Sequence, residues 1–226
     1  MSDARAVVLG RIAAALSDVP AGERPDDVAV ARDYRGVGAA GELAAHEIIA
    51  RFAERVADYR AELVRVAPAE VGATLAAACA ARGLSRWAVA PGLPADRRPE
   101  AAGLQLVEDT DLGARELDRI DGAITGCAAA IAETGTLVLD GSPRSGRRLL
   151  TLVPDHHLCV VEVEQIVAGV PAALAAVATA AVAERRPITL VSGPSASSDI
   201  ELERVEGVHG PRDLLVVVAD PAAVTG

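Results

Sequence analysis

The sequence contains no lysine; all 22 of its basic residues are arginine. That absence excludes a Walker-type phosphate loop, a Schiff-base lysine and lysine general-base chemistry. Aromatic residues are scarce at 2%, with rings only at Tyr34, Phe52, Tyr59 and Trp87. The core is therefore expected to consist of Val, Leu, Ile and Ala, and a base-stacking surface is not expected. An excess of positive charge is missing as well: the formal net charge is −10. Nucleic acid and anionic membrane are thereby disfavoured as partners, because both repel an acidic surface. The three cysteines, Cys79, Cys127 and Cys159, form no CxxC pair. They make no disulfide framework, iron–sulfur site or zinc knuckle on their own, and read as buried reduced thiols of a cytosolic protein. Long apolar runs are also lacking. The charge-free stretch at 170–183, "VPAALAAVATAAVA", falls short of the roughly 20 residues that cross a bilayer and reads as a buried helix with Pro171 in its first turn. The N-terminus, "MSDARAVVLGRIAAALSDVP", is acidic early and has apolar residues at helical spacing, so it is not read as a signal peptide.

What is present is a chain of 226 residues, 51% of them hydrophobic, enough for one sizeable core. Residues 5–16 have the pattern of an amphipathic helix, and 17–29, with two prolines, that of a linker or wrapping segment. Residues 42–63 carry Leu43, Ile48, Phe52 and Val56 on one helical face. Strand and helix patterns then alternate: strands at 63–66, 86–92 and 104–109, a helix over 68–83 closed by Gly83, and a short helix after Asp111. Two or three glycine-broken strands follow in 122–141, further strands at 148–154 and 157–163, the alanine-rich helix, and strands at 187–193 and 213–220. This order predicts an α/β sandwich with a mainly parallel central sheet, into which the strand-rich middle inserts an antiparallel hairpin or edge. We expect an N-terminal helical segment, 1–58, packed on an α/β domain, 59–226.

The literal GxGxxG at Gly36–Gly41 is a false trail. It follows the polar "VARDYR" rather than an apolar strand, so it reads as a helix-entry loop and not as a dinucleotide site.

Three stretches remain as candidates for chemistry. The strand 187–191 ends at Ser192, and ligands of open parallel sheets sit beyond the carboxyl ends of strands. The loop 192–199 is expected there, with Gly193 allowing close backbone approach and Ser195, Ser197 and Ser198 offering hydroxyls. Ser198 and Glu201 also have capping-box spacing for a helix starting after the loop. Asp199, Glu201, Glu203 and Glu206 make the surroundings acidic, so an anionic ligand needs Arg144, Arg147, Arg148, Arg204 or Arg212 to reach in. "AETGT" places Glu133 at a strand junction, where a carboxylate can act as base, nucleophile or anchor; a glycine bulge with Thr and Glu bonded to backbone is equally compatible. His209 in "GVHGP" is the histidine best placed for catalysis, or for holding a turn. His156 and His157, adjacent on a strand, point to opposite faces and cannot share a metal, so no metal site is expected.

Taken in order, "AETGTLVLDG", "LLTLVPDHHLCVVEVEQIV", "ITLVSGPSASSDIE" and "GVHGPRDLLVVV" resemble the LUD-domain family, specifically the lactate-utilisation protein C group. The resemblance runs from about residue 120 to 219 and more loosely back to about 60. It implies a fold similar to the sugar-isomerase and CoA-transferase (NagB/RpiA-like) superfamily. It also implies a bacterial, cytoplasmic role as the non-redox component of a system that oxidises L-lactate to pyruvate with iron–sulfur partner chains. No cofactor is then expected in this chain, the clusters belonging to the partners. The motif positions carried over are Glu133, Thr134, Gly135 and Thr136; Gly193, Pro194, Ser195, Asp199, Ile200 and Glu201; and His209, Gly210 and Pro211. Where the family has a basic residue and threonine after "GPS", this chain has Ala196 and Ser197, which removes a cation from the loop. Glu133 and His209 are the catalytic candidates, with Thr134, Gly135, Thr136, Gly193, Pro194, Ser195, Ser197, Asp199, Glu201 and Gly210 as ligand-binding candidates. The alternative is a stand-alone acyl-transfer or ligase-type enzyme that uses Glu133 as nucleophile.

Overall fold

A computed structural model describes residues 4–20, 22–27, 29–34, 36, 43–197, 205–206 and 210–223. The chain divides into two units, 1–34 and 35–226. The first holds helix α1 (Ala4–Ala15) and a 3-10 turn at Pro25–Asp27, whose Asp27 carboxylate accepts the N–H of the preceding Arg24. Everything below belongs to the second, which includes the helix at 45–58.

Six strands form an all-parallel sheet: β1 (Glu62–Val66), β2 (Arg86–Val89), β3 (Gln105–Glu108), β4 (Gly122–Gly126), β7 (His156–Glu162) and β12 (Asp213–Ala219), in the order β1-β12-β7-β4-β2-β3. The central strands β4, β7 and β12 are buried along almost their whole length, as strands covered on both faces must be. Helix α2 (Ala45–Asp58) buries Phe52 and Val56 in a cluster with Cys127, Cys159, Val161 and Val216. Its first turn is capped by Glu47, whose carboxylate accepts the Ala44 N–H at 2.8 Å. Helix α3 (Val71–Ala81) buries Val71, Leu75 and Cys79 in a second cluster with Trp87, Leu158 and Val217. It ends at Gly83, which adopts φ +66 where an L side chain would be strained. The short α4 (Ala114–Leu117) contributes Leu117 to a third cluster, and α5 (Val170–Glu184) buries Ala173, Val177 and Ala181.

Three of the sequence expectations need correction. The hairpin β5 (Ala129–Ile131) and β6 (Thr136–Leu139) does not insert into the main sheet. It nucleates a second, mixed sheet ordered β8-β5-β6-β9, with β8 (Ile166–Val167) parallel to β5 and β9 (Thr189–Val191) antiparallel to β6. β9 is therefore an edge strand, with Leu190 51% exposed, and not a strand of the central parallel sheet. Residues 148–154 are turns rather than a strand. Leu150 N–H bonds Arg147 O and Val153 N–H bonds Leu149 O, a helical-type spacing that drives Leu150 into the cluster with Ala88, Ala90 and Leu117. A small antiparallel ladder, β10 (Ala196–Ser197) with β11 (Val205–Glu206), flanks the stretch where Ser198 and Glu201 were expected to cap a helix; those two residues lie outside the described residues.

Candidate functional site

A cleft of about 220 Å³ opens where the loop after β9 passes the main sheet. Its walls come from three directions. Thr189, Leu190, Val191, Ser192, Gly193, Pro194 and Ser195 supply one side, Gly210, Pro211 and Leu214 a second, and Arg148, Thr151 and His157 a third. His157 and Leu214 lie near the beginnings of β7 and β12. The cleft therefore meets the parallel sheet at the amino ends of its strands, and the expected position beyond the carboxyl ends is overturned. The carboxyl ends are occupied by ion pairs. Arg144 and Arg97 converge on Glu162 at 3.0 and 3.1 Å, Arg147 holds the buried Asp109, and Arg65 pairs with Asp220.

The loop geometry follows from a few contacts. Gly193 turns at φ +81, and a Cβ there would stand 2.5 Å from Cβ of Tyr59, at the end of α2. No other residue type fits that approach without displacement. The Ser195 N–H donates to Pro211 O at 2.7 Å, joining the two motif loops. Ser192 Oγ lies 2.8 Å from Thr136 Oγ1, which is 2.6 Å from Thr134 Oγ1, so a hydroxyl chain links the β5–β6 turn to the rim. Gly135, at φ +61, lets that turn close on Arg55 of α2, where a Cβ would be 2.6 Å from the Arg55 carbonyl carbon.

Of the residues singled out from the sequence, Gly193, Pro194, Ser195, Gly210 and Pro211 thus meet in one cleft, and Thr134 and Thr136 reach it through Ser192. Glu133 is not among the lining residues; its N–H donates to Ala168 O at 3.0 Å, beside β8. Ser197 belongs to β10. Asp199, Ile200, Glu201 and His209 lie outside the described residues.

Sequence reasoning missed His157 and Thr151, and gave Arg148 only as one of five arginines. Arg148 is the one charged side chain among the lining residues, and among the described residues no carboxylate pairs with it. Its Nη1 donates to Thr151 O at 3.1 Å. His157 is fully buried and its Nε2 lies 2.8 Å from Thr125 Oγ1. Burial, helped by the Arg148 charge, pushes the imidazole down to about 4, so it is neutral at physiological pH. Among the described residues, the cleft thus combines a cation without a carboxylate partner, a neutral imidazole, hydroxyls of Thr151, Thr189, Ser192 and Ser195, and apolar walls from Leu190, Val191 and Leu214. Such a set suits a small anion that also carries an oxygen able to exchange hydrogen bonds.

The LUD domain is matched over residues 39–219, which takes in both sheets and every lining residue of the cleft. The chain belongs to the LUD-domain family. Within that family it is similar to the lactate utilization protein C of Deinococcus radiodurans, at 47% identity over 78% of this chain and 81% of the relative. The protein of the same name from Shouchella clausii is 31% identical over 55% of this chain and 51% of its own length. A crystal structure of a DUF162 family protein from Deinococcus radiodurans superposes with a TM-score of 0.67 at 41% identity, covering 79% of this chain and all of that one. The LUD-domain fold is therefore shared with a solved relative. Among the described residues no group of three His, Cys, Asp or Glu side chains is placed to hold a metal, and no helix is long and apolar enough to cross a membrane.

Proposed function

We propose that this LUD-domain protein serves lactate utilisation in the bacterial cytoplasm. In this reading it is the component that transfers no electrons itself, working with iron–sulfur partner chains that oxidise L-lactate to pyruvate. Its cleft between β9, β7 and β12 takes a small carboxylate. The observation that carries the reading is Arg148: a guanidinium with no carboxylate partner among the described residues, in a cleft lined also by five family-motif residues, placed in a chain 47% identical to a lactate utilization protein C.

The chemistry follows from the residues. The Arg148 guanidinium holds the carboxylate, with Nη1 already oriented by Thr151. Neutral His157 and the Ser195 and Thr151 hydroxyls face the ligand's second oxygen without adding charge. At about 220 Å³ the space is below the roughly 300–1,000 Å³ of sites for drug-sized ligands, which favours a molecule of a few heavy atoms. The acyl-transfer alternative draws no support from the cleft, since Glu133 does not line it.

The test is genetic and biochemical. Deleting the gene should abolish growth on L-lactate but not on glucose, and the tagged protein should co-purify with brown, cluster-bearing chains. Complementation with the wild type should restore growth, and with Arg148→Gln it should not. Undiminished growth of the deletion strain on L-lactate would defeat the reading.

A further inference from the structure

His156 and His157 are adjacent on β7 and, as neighbours on a strand must, serve opposite faces. His157 lines the cleft already described. His156 lines a second one, of about 480 Å³, at the amino ends of the same strands. Its walls are the segments that lead into β2, β4, β7 and β12: Leu84, Asp118 to Asp121, Val153 to Asp155, and Arg212.

The imidazole is held as a deliberate fixture. Its Nδ1 lies 2.9 Å from Asp213 Oδ2, across the β7–β12 pairing in which His156 and Asp213 are partners. Asp213 is gripped in turn by two nitrogens of Arg82, from the end of α3. Burial disfavours the Asp213 charge, but Arg82 and then His156 outweigh it and keep the carboxylate ionised. With Nδ1 turned to a carboxylate, the ring's other nitrogen, Nε2, has no partner among the described residues. The ring's position is further fixed by Trp87, with centroids 6.2 Å apart.

Around this fixture the charges are mixed. Asp121 already accepts the N–H groups of Ser85 and Arg86 at 3.0 and 2.8 Å, and Arg212 is only loosely tied to Asp155, at 3.6 Å. Asp118 and Arg119 have no ion-pair partner among the described residues. A cleft that offers carboxylates and guanidiniums a few residues apart is complementary to a ligand bearing both signs. A pure anion meets Asp118 and Asp155, and a pure cation meets Arg119 and Arg212; a zwitterion satisfies both sets.

We propose that the cleft formed by Asp118, Arg119, Asp155, His156 and Arg212 binds an amino-acid-like zwitterion, independently of the Arg148 cleft. The arginines take its carboxylate, Asp118 and Asp155 its ammonium, and His156 Nε2 accepts a hydrogen bond from it.

The protein carries its own reporter, since Trp87 is its single tryptophan and touches His156. The full chain is titrated with L-alanine, and in parallel with L-lactate and ethylamine, which lack the ammonium and the carboxylate respectively. Trp87 fluorescence and calorimetry are followed together. L-Alanine should bind saturably and at least tenfold more tightly than either control at this site. Arg119→Gln and His156→Gln, each checked for an unchanged circular dichroism spectrum, should weaken it about tenfold, and Arg148→Gln should leave it unaltered. Overturning results are L-alanine binding no better than both controls, binding unchanged in Arg119→Gln and His156→Gln, or binding lost only in Arg148→Gln.

Discussion

Burial of His157 beside the Arg148 cation disfavours a protonated imidazole, and its fall to about 4 makes acid the condition that exposes it. The folded value lies below the ordinary one of 6.5. Between those two pH values the unfolded chain binds a proton that the folded chain refuses. Stability from this residue is therefore complete above about pH 6.5 and is lost as pH falls towards 4, by an amount on the order of 3 kcal/mol. His157→Gln keeps a hydrogen-bonding group opposite Thr125 but removes the titration. Urea midpoints of this variant should change less between pH 6.5 and 4 than those of the wild type; equal slopes would count against a buried neutral imidazole. Removing the nearby cation by Arg148→Gln should move the His157 titration upwards, which an NMR pH titration reads directly.

At the scale of elements, the site depends on the short connection after β9. Gly193→Ala forces a methyl group to within 2.5 Å of Tyr59 Cβ, in a left-handed conformation. Thermal unfolding should show a loss of about 1–3 kcal/mol. The sequence made this connection legible as a site because Gly193, Pro194 and Ser195 interrupt an apolar run, and Gly210 was read with it. Its setting was not legible. Residues 187–191 are as apolar as a central strand, and only the pairing with β6 shows that Leu190 faces outward on an edge. Likewise the run at 148–154 gives no strand, because its backbone N–H groups bond carbonyls three and four residues back around Leu150. Arg148 and Thr151, carried by those turns, could be found only by folding them against β7. His157 had one usable sequence signal, the pair of adjacent histidines entering an apolar strand, which announces that one of them must be buried.

For the molecule as a whole, the main sheet was readable in kind because near-continuous apolar runs such as 157–161 and 214–219 belong to strands covered on both faces. That the hairpin at 129–139 builds a second sheet was not readable, since strand partners far apart in sequence leave no local mark. The core that supports both sheets should be separable from the chemistry. Leu75→Ala, in the cluster with Trp87 and Val217, should lower unfolding stability by about 2–5 kcal/mol while leaving ligand affinity unchanged in the folded fraction. An affinity loss at constant temperature and full folding would mean that the cluster also shapes the cleft.

The most direct measurement is calorimetric titration of L-lactate and pyruvate into the wild-type protein and into Arg148→Gln. Saturable binding to the wild type, weakened about tenfold or more in the variant, is the expected result, since a lost charge-assisted hydrogen bond costs about 1.5–3 kcal/mol. No saturable binding of either acid, or equal affinity in the two proteins, would contradict the assignment of the cleft to a small carboxylate.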